Sequence, residues 1–207
     1  MLEPRRDAQP PDSALRTTSF QDVFALRGGR ARSVVVERSL SSPLLEASGR
    51  LTAGLPFELR YTLDTEDADE VIAEGLFAPL PATAAKTLIQ RDALCLAILW
   101  SALTGVRHCR ATLAVVGDSR CTKLHTDAIS LRALCTYAGP GTVIAPGSRA
   151  EVQASASPRT VQAGLGDFVF LAGDRWPGGG AMHRSPALED GQRRLLLVVD
   201  EGIRGSS

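Results

Sequence analysis

The chain has 207 residues, of which 44% are hydrophobic and 22% charged. That length suits one domain with a sizeable core, and that composition excludes general disorder. Twenty-three basic residues balance 23 acidic ones, so no net field draws the chain to nucleic acid or to an anionic membrane surface.

Residues 1 to about 20 are rich in Pro, Arg, Ser and Asp and are expected to form a disordered tail ahead of a single domain over 21–207. Arg5 and Arg6 are not followed by an apolar run, so no secretory signal is read there and a cytoplasmic location is expected. Val34, Val35 and Val36 predict a strand over 33–37. The segment 65–77 opens with Glu66, Asp67 and Asp69, where a helix dipole favours negative charge, and reads as a helix. The strongest helix covers 84–103, closed by Gly105; apolar residues crowd round it from Leu94 onward, which predicts burial on most sides. Its most apolar stretch is well short of the ~20 residues that span a bilayer.

After Gly105 short β-prone runs alternate with Gly, Pro, Ser and Asp clusters: 112–116, 122–127, 131–137, 142–145, 160–163, 168–172, 182–183 and 195–199. Many short, closely spaced strands favour a rolled or stacked β structure over a parallel sheet with crossover helices. The expected fold is therefore mainly β with N-terminal helices, a barrel braced by one or two of them.

Only three His occur in the chain, and two of them sit in His125-Thr126-Asp127 and His183-Arg184-Ser185-Pro186. A His-x-Asp pair with a distant His is the ligand set of a 2-His-1-carboxylate triad, suited to Fe(II), Mn(II) or Zn(II). On a strand over 121–127, Cys121, Lys123, His125 and Asp127 would share one face. A zinc set of Cys121, His125 and His183 then ranks second, because Asp127 serves iron better than a structural zinc. Arg193, ten residues after His183, could grip a carboxylate beside the metal or merely flank the last strand, with Arg194 the fallback. Thr136 and Tyr137 either line the barrel and meet a co-substrate or belong to the core. Gly139-Pro140-Gly141 is first a tight turn. Trp176 is a pocket lid or a core cap, and His108 a surface residue. Ser185 lacks the setting of a hydrolase nucleophile. Four Cys without a Cys-x-x-Cys pair read as free thiols in a reducing compartment.

Gly166-Asp167, the apolar strand after it, His183-Arg184-x-Pro186 and Gly191-x-Arg193 resemble the C-terminal half of the Fe(II)/2-oxoglutarate-dependent oxygenases. The resemblance implies a double-stranded β-helix of the cupin or jelly-roll type. It implies His125, Asp127 and His183 as metal ligands, Arg193 or Arg194 on the far carboxylate of 2-oxoglutarate, and Tyr137 near that co-substrate. It also implies consumption of O2 with release of succinate and carbon dioxide, and oxidation of a substrate, such as a small molecule, at the barrel mouth. The presence of Asp127 favours hydroxylation over halogenation. A closer resemblance covers most of residues 30–200. The run Cys135-Thr136-Tyr137-Ala138-Gly139-Pro140-Gly141-Thr142, with Trp176-Pro177-Gly178 and Arg193-Arg194-Leu195-Leu196-Leu197, is similar to the bacterial domain of unknown function 1826. Many members carry an acidic or aromatic residue where this chain has Val143-Ile144. Association of that family with zinc-responsive gene neighbourhoods supports an alternative, a Zn(II)-binding protein of metal homeostasis. A cupin-like binding module without turnover is the other alternative.

Overall fold

The computed structural model describes residues 14–66, 75–117 and 121–201. In chain order it runs β1 (Ala14–Thr17), a 3-10 helix (Phe20–Ala25), β2 (Ser33–Val36), α1 (Ser42–Ala53), β3 (Glu58–Asp64), α2 (Ala84–Thr104), β4 (His108–Val116) and β5 (Leu131–Ala138). It continues through β6 (Val143–Ala145), α3 (Arg149–Ala154), β7 (Val161–Gln162), β8 (Phe168–Ala172), β9 (Met182–Arg184) and β10 (Arg194–Asp200). Seven strands form one sheet in the order β1-β2-β8-β5-β10-β4-β3, and three form a second in the order β7-β6-β9. Apart from the parallel β1–β2 edge, the pairs are antiparallel. The expected double-stranded β-helix with helical braces is the fold that forms.

Strict alternation along the large sheet creates its two faces. Leu195, Leu197 and Val199 of β10, Leu131, Ala133, Cys135 and Tyr137 of β5, and Cys109, Ala111, Leu113 and Val115 of β4 join one core under the helices. The intervening residues turn the other way, toward the small sheet. There Leu134, Val35, Val169 and Leu171 meet Ile144, Ala163 and Ala181 in a second apolar cluster. The polar inward-facing residues are left at either end of β10, which is where the chemistry collects.

Helix α2 begins at Thr83, whose hydroxyl accepts from the Lys86 amide, and ends at Gly105 in the left-handed conformation. Ala85, Ile89, Ala93, Leu96, Ala97, Trp100 and Leu103 form one buried stripe, while Ile98 is exposed and Leu94 and Leu99 are half-buried. Burial on most sides is thus not what forms, because α2 lies on the outer face of one sheet with solvent at its back. The same helix projects Asp92 onto the barrel. Arg38 donates two parallel hydrogen bonds to Asp92 and one to Cys135 Sγ, its plane lies 3.9 Å from the Phe168 ring centroid, and the Tyr137 hydroxyl donates to Asp92 at 2.8 Å.

Other differences have local causes. Residues 14–20, expected within a disordered tail, are structured, because Ala14–Thr17 pairs with Ser33–Val36 in register and Arg16 pairs with Glu37. Residues 1–13, the remainder of that tail, lie outside the described residues, as do 67–74, the centre of the helix expected over 65–77. Strand β3, with alternating exposed and covered residues, and helices α1 and α3 were not expected. The strand expected over 122–127 shrinks to a single bridge at His125. Among the described residues no helix is long and apolar enough to cross a membrane.

Removing the Asp92 carboxylate leaves Arg38 partly buried without its anion, a loss of about 3 kcal/mol for such a pair. Urea denaturation of Asp92→Ala should show that loss, whereas Asp22→Ala, in an exposed contact, should stay within about 0.5 kcal/mol of wild type.

Candidate metal centre

One backbone exchange builds the centre. The His125 amide donates to the His183 carbonyl and the His183 amide donates back to the His125 carbonyl, both at 2.9 Å. Directly opposed residues of an antiparallel pair send their side chains to the same face. The two imidazoles accordingly stand 4.6 Å apart between ring centroids. His183 also pairs with Ile144 of β6, so the row points inward. Asp127 follows in a turn fixed by a second set of backbone bonds: Asp174 N to Asp127 O at 2.8 Å, Gly173 N to Ser130 O at 2.8 Å and Arg175 N to Ile129 O at 3.1 Å. Gly173 permits this closeness, since a Cβ there would lie 2.0 Å from the Ile129 carbonyl oxygen. Gly180 does the same beside Thr126, whose Cβ would be 2.8 Å away.

Both histidines use one orienting device. Each Nδ1 lies 2.9 Å from the carbonyl two residues earlier, Lys123 for His125 and Ala181 for His183. A carbonyl only accepts, so in the neutral ring the proton sits on Nδ1 and the Nε2 lone pair is free, as metal-bound imidazoles require. Both Nε2 atoms face Asp127: His183 Nε2 is 3.3 Å from Oδ2 and His125 Nε2 is 3.8 Å from Oδ1. The three residues offer donor atoms within 4.8 Å of one another, the arrangement of a cation site. Asp127 Oδ2 supplies an independent test of fit. It is buried and no neighbour is aligned to hydrogen-bond it, although Arg132 Nη1 approaches to 2.9 Å. Two free imidazole nitrogens and an under-satisfied carboxylate fit a borderline divalent metal. Burial alone would raise the Asp127 carboxyl, but His183 when its ring is protonated, then the Arg132 guanidinium and the protonated His125 ring, hold it below its ordinary 3.8.

The other candidate residues separate sharply. Cys121 is exposed, in the left-handed conformation, and does not join the cluster, so the Cys121, His125 and His183 zinc set does not assemble. The alternation expected for it fails because only His125 of that segment makes a ladder pair. Arg193 turns outward, donating to the carbonyls of Thr52 and Gly54 at the end of α1 and lining an outer cavity of about 590 Å³ with Phe57, Glu58 and Gln192. Arg194, one residue on, turns inward and is 3% exposed. Its Nη2 lies 3.3 Å from Thr142 Oγ1 and 3.5 Å from Thr136 Oγ1, and among the described residues its Nε has no partner and no carboxylate pairs with it. Desolvation lowers it to about 10. Tyr137 does not line the barrel: it neighbours the inward Thr136, so alternation sends it under α2 to Asp92, where burial raises it well above its ordinary value. Trp176 is a core cap, donating its indole N–H to the Leu26 carbonyl. His108 is on the surface beside Asp64.

Sequence reasoning missed Arg132 and Asp200. Arg132 Nη2 reaches Asp200 Oδ2 at 3.2 Å, and Arg110 Nη2 reaches Asp200 Oδ1 at 2.9 Å. Their signal was alternation itself: Arg132 and Asp200 are charged residues at inward positions of otherwise apolar strands.

The chain belongs to the family described as protein of unknown function (DUF1826), whose sequence profile matches residues 18–200. No curated protein is significantly similar in sequence. Among solved structures, the rice dioxygenase for auxin oxidation is similar at a TM-score of 0.53 with 16% identity, covering 91% of this chain and 82% of that one. The Arabidopsis thaliana dioxygenase for auxin oxidation 1, solved with 2-oxoglutarate, is similar at 0.51 with 13% identity, covering 91% and 92%. The Fe(II)/α-ketoglutarate-dependent dioxygenase TqaL is similar at 0.52 with 13% identity, covering 90% and 89%. This chain shares their fold.

Two outcomes test the local chemistry. A carboxylate held below its ordinary value stabilises the metal-free protein at neutral pH, and that contribution fades as pH falls below about 4 toward the lowered value. The gap in unfolding free energy between wild type and Asp127→Asn should therefore narrow as the pH is lowered through that window. Burial pushes the Cys109 and Cys135 thiols up to about 12, leaving little thiolate near neutrality. Mass mapping after brief alkylation of the native protein should find label on exposed Cys121 and none on Cys109 or Cys135 until denaturant is added.

Proposed function

We propose that the protein is a non-haem Fe(II)- and 2-oxoglutarate-dependent oxygenase that hydroxylates a small organic substrate. His125, Asp127 and His183 would hold the iron, and Arg194, in place of Arg193, would bind the far carboxylate of 2-oxoglutarate. The observation that carries this reading is a buried guanidinium that pairs with no carboxylate among the described residues, on the same inner face as the ligand triad. An unpaired buried cation costs several kcal/mol, and a dicarboxylate that reaches both groups offsets that cost. When bound, iron and the co-substrate supply the oxidising chemistry.

What the chain itself contributes is position. The Lys123 and Ala181 carbonyls engage Nδ1 of each ring and so turn Nε2 toward Asp127. Thr136 and Thr142 set the depth of Arg194, and Gly139, at φ 76°, leaves it room: a Cβ there would lie 2.9 Å from Arg194 Cγ. The Ile144, Leu134 and Val169 cluster keeps water from the inward side. Thr142 stands two residues before Ile144, which is paired with His183, so the small sheet links the carboxylate anchor to the metal ligands.

In anaerobic titration of the Fe(II)-loaded protein, Arg194→Ala should weaken 2-oxoglutarate binding at least about thirtyfold, as expected for truncating a buried charge partner. Arg193→Ala should leave it unchanged, and neither should alter iron stoichiometry. Succinate release from labelled 2-oxoglutarate across a metabolite panel, with His125→Ala as the blank, identifies the substrate. Stoichiometric zinc with no response to iron or 2-oxoglutarate would instead favour the metal-homeostasis alternative.

A further inference from the structure

We propose that Arg132 is a positioning residue for the metal-binding carboxylate: braced by Asp200 and Arg110, its guanidinium holds Asp127 in place between the two imidazoles. The inference rests on reading the triad as a metal site.

Three adjacent strands supply the parts. Asp200 of β10 stands directly opposite Arg110 of β4, and Val199 stands opposite Ala133 of β5, which brings Arg132 alongside. All three charged side chains point inward, because Ala111, Ala133 and Val199 beside them point into the helix-covered core. Asp200 is 4% exposed and takes one guanidinium on each oxygen, Arg110 at 2.9 Å and Arg132 at 3.2 Å. The second arm of Arg132 then reaches Asp127 Oδ2 at 2.9 Å. One rigid planar group thus spans two carboxylates, and a second guanidinium fixes the farther of them. With Arg132 Nη1 beside Oδ2, which also lies 3.3 Å from His183 Nε2, and with Oδ1 3.8 Å from His125 Nε2, the carboxylate is kept between the two imidazoles.

A bare guanidinium near a cation would oppose metal binding. Here Asp200 and Asp127 together balance Arg110 and Arg132, so the dominant effect is orientation. Partners of metal ligands typically carry ten- to a hundredfold of metal affinity through orientation. A lysine cannot substitute, since its single ammonium reaches one carboxylate at a time.

Cobalt(II) serves as the probe, titrated into the full chain and followed through its visible d–d bands, whose intensity reports coordination geometry. Wild type should bind one cobalt. Arg132→Ala and Arg132→Lys should each bind it about ten- to a hundredfold more weakly with an altered band envelope. Asp200→Asn, which removes the brace but keeps Arg132, should fall between them and wild type. Metal-free melting curves verify that each variant is folded, and Arg132→Lys carries the test if Arg132→Ala is not. Equal or tighter cobalt binding with unchanged bands in the folded Arg132 variants overturns the positioning role and leaves the metal site standing. Absence of cobalt binding by wild type overturns the metal site itself, and this inference with it.

Discussion

Everything at the centre depends on the reciprocal backbone pair between His125 and His183. Two hydrogen bonds place residues 58 positions apart on the same face of a short ladder, and side-chain direction follows from that placement alone. The Ser185 amide adds a bond to the Cys121 carbonyl at 3.1 Å, and the contacts of Nδ1 with the Lys123 and Ala181 carbonyls then set the turn of each ring. The glycines at 173 and 180 then let the turn carrying Asp127 close against backbone that any side chain would displace. The centre is thus specified by main-chain contacts, with the side chains taking positions the ladder has already fixed.

The Cys135–Thr142 segment shows how one stretch can serve both faces of a sheet. Cys135 and Tyr137 point outward to Arg38 and Asp92, tying the barrel to α2. Thr136 and Thr142 point inward to Arg194, and Gly139 and Gly141 supply clearance where Arg194 and the Ala163 carbonyl press on the turn. At a break in register at Leu195/Leu196 Tyr137 has no partner on β10, and the alternation slips there, so that Tyr137 and Ala138 both meet the helix-covered core.

The sequence made the fold class readable because period-two alternation and punctuating glycines are local signals. The triad residues were also visible, as a rare residue type in a spacing with chemical meaning, and the structure brings them together. What stayed hidden depends on partners remote in the chain. Which of two consecutive arginines turns inward is decided by the phase of β10 against β5, so the sequence alone put Arg193 first and kept Arg194 as the fallback. Tyr137, open to either the barrel lining or the core, goes to the core under α2. Arg132 and Asp200 passed unnoticed because their meaning lies in each other and in Asp127, across three strands. β3 and α1 were missed because their polar, exposed faces dilute the apolar periodicity.

The burial of Arg194 has a consequence for stability as well as binding. Burying a cation that no described carboxylate pairs with costs free energy, and any anion that reaches it deepens the native well without binding the unfolded chain. Under the reading of Arg194 as a carboxylate anchor, ligand discovery and conformational stability become one measurement: the melting transition reports which organic acids pair with that guanidinium.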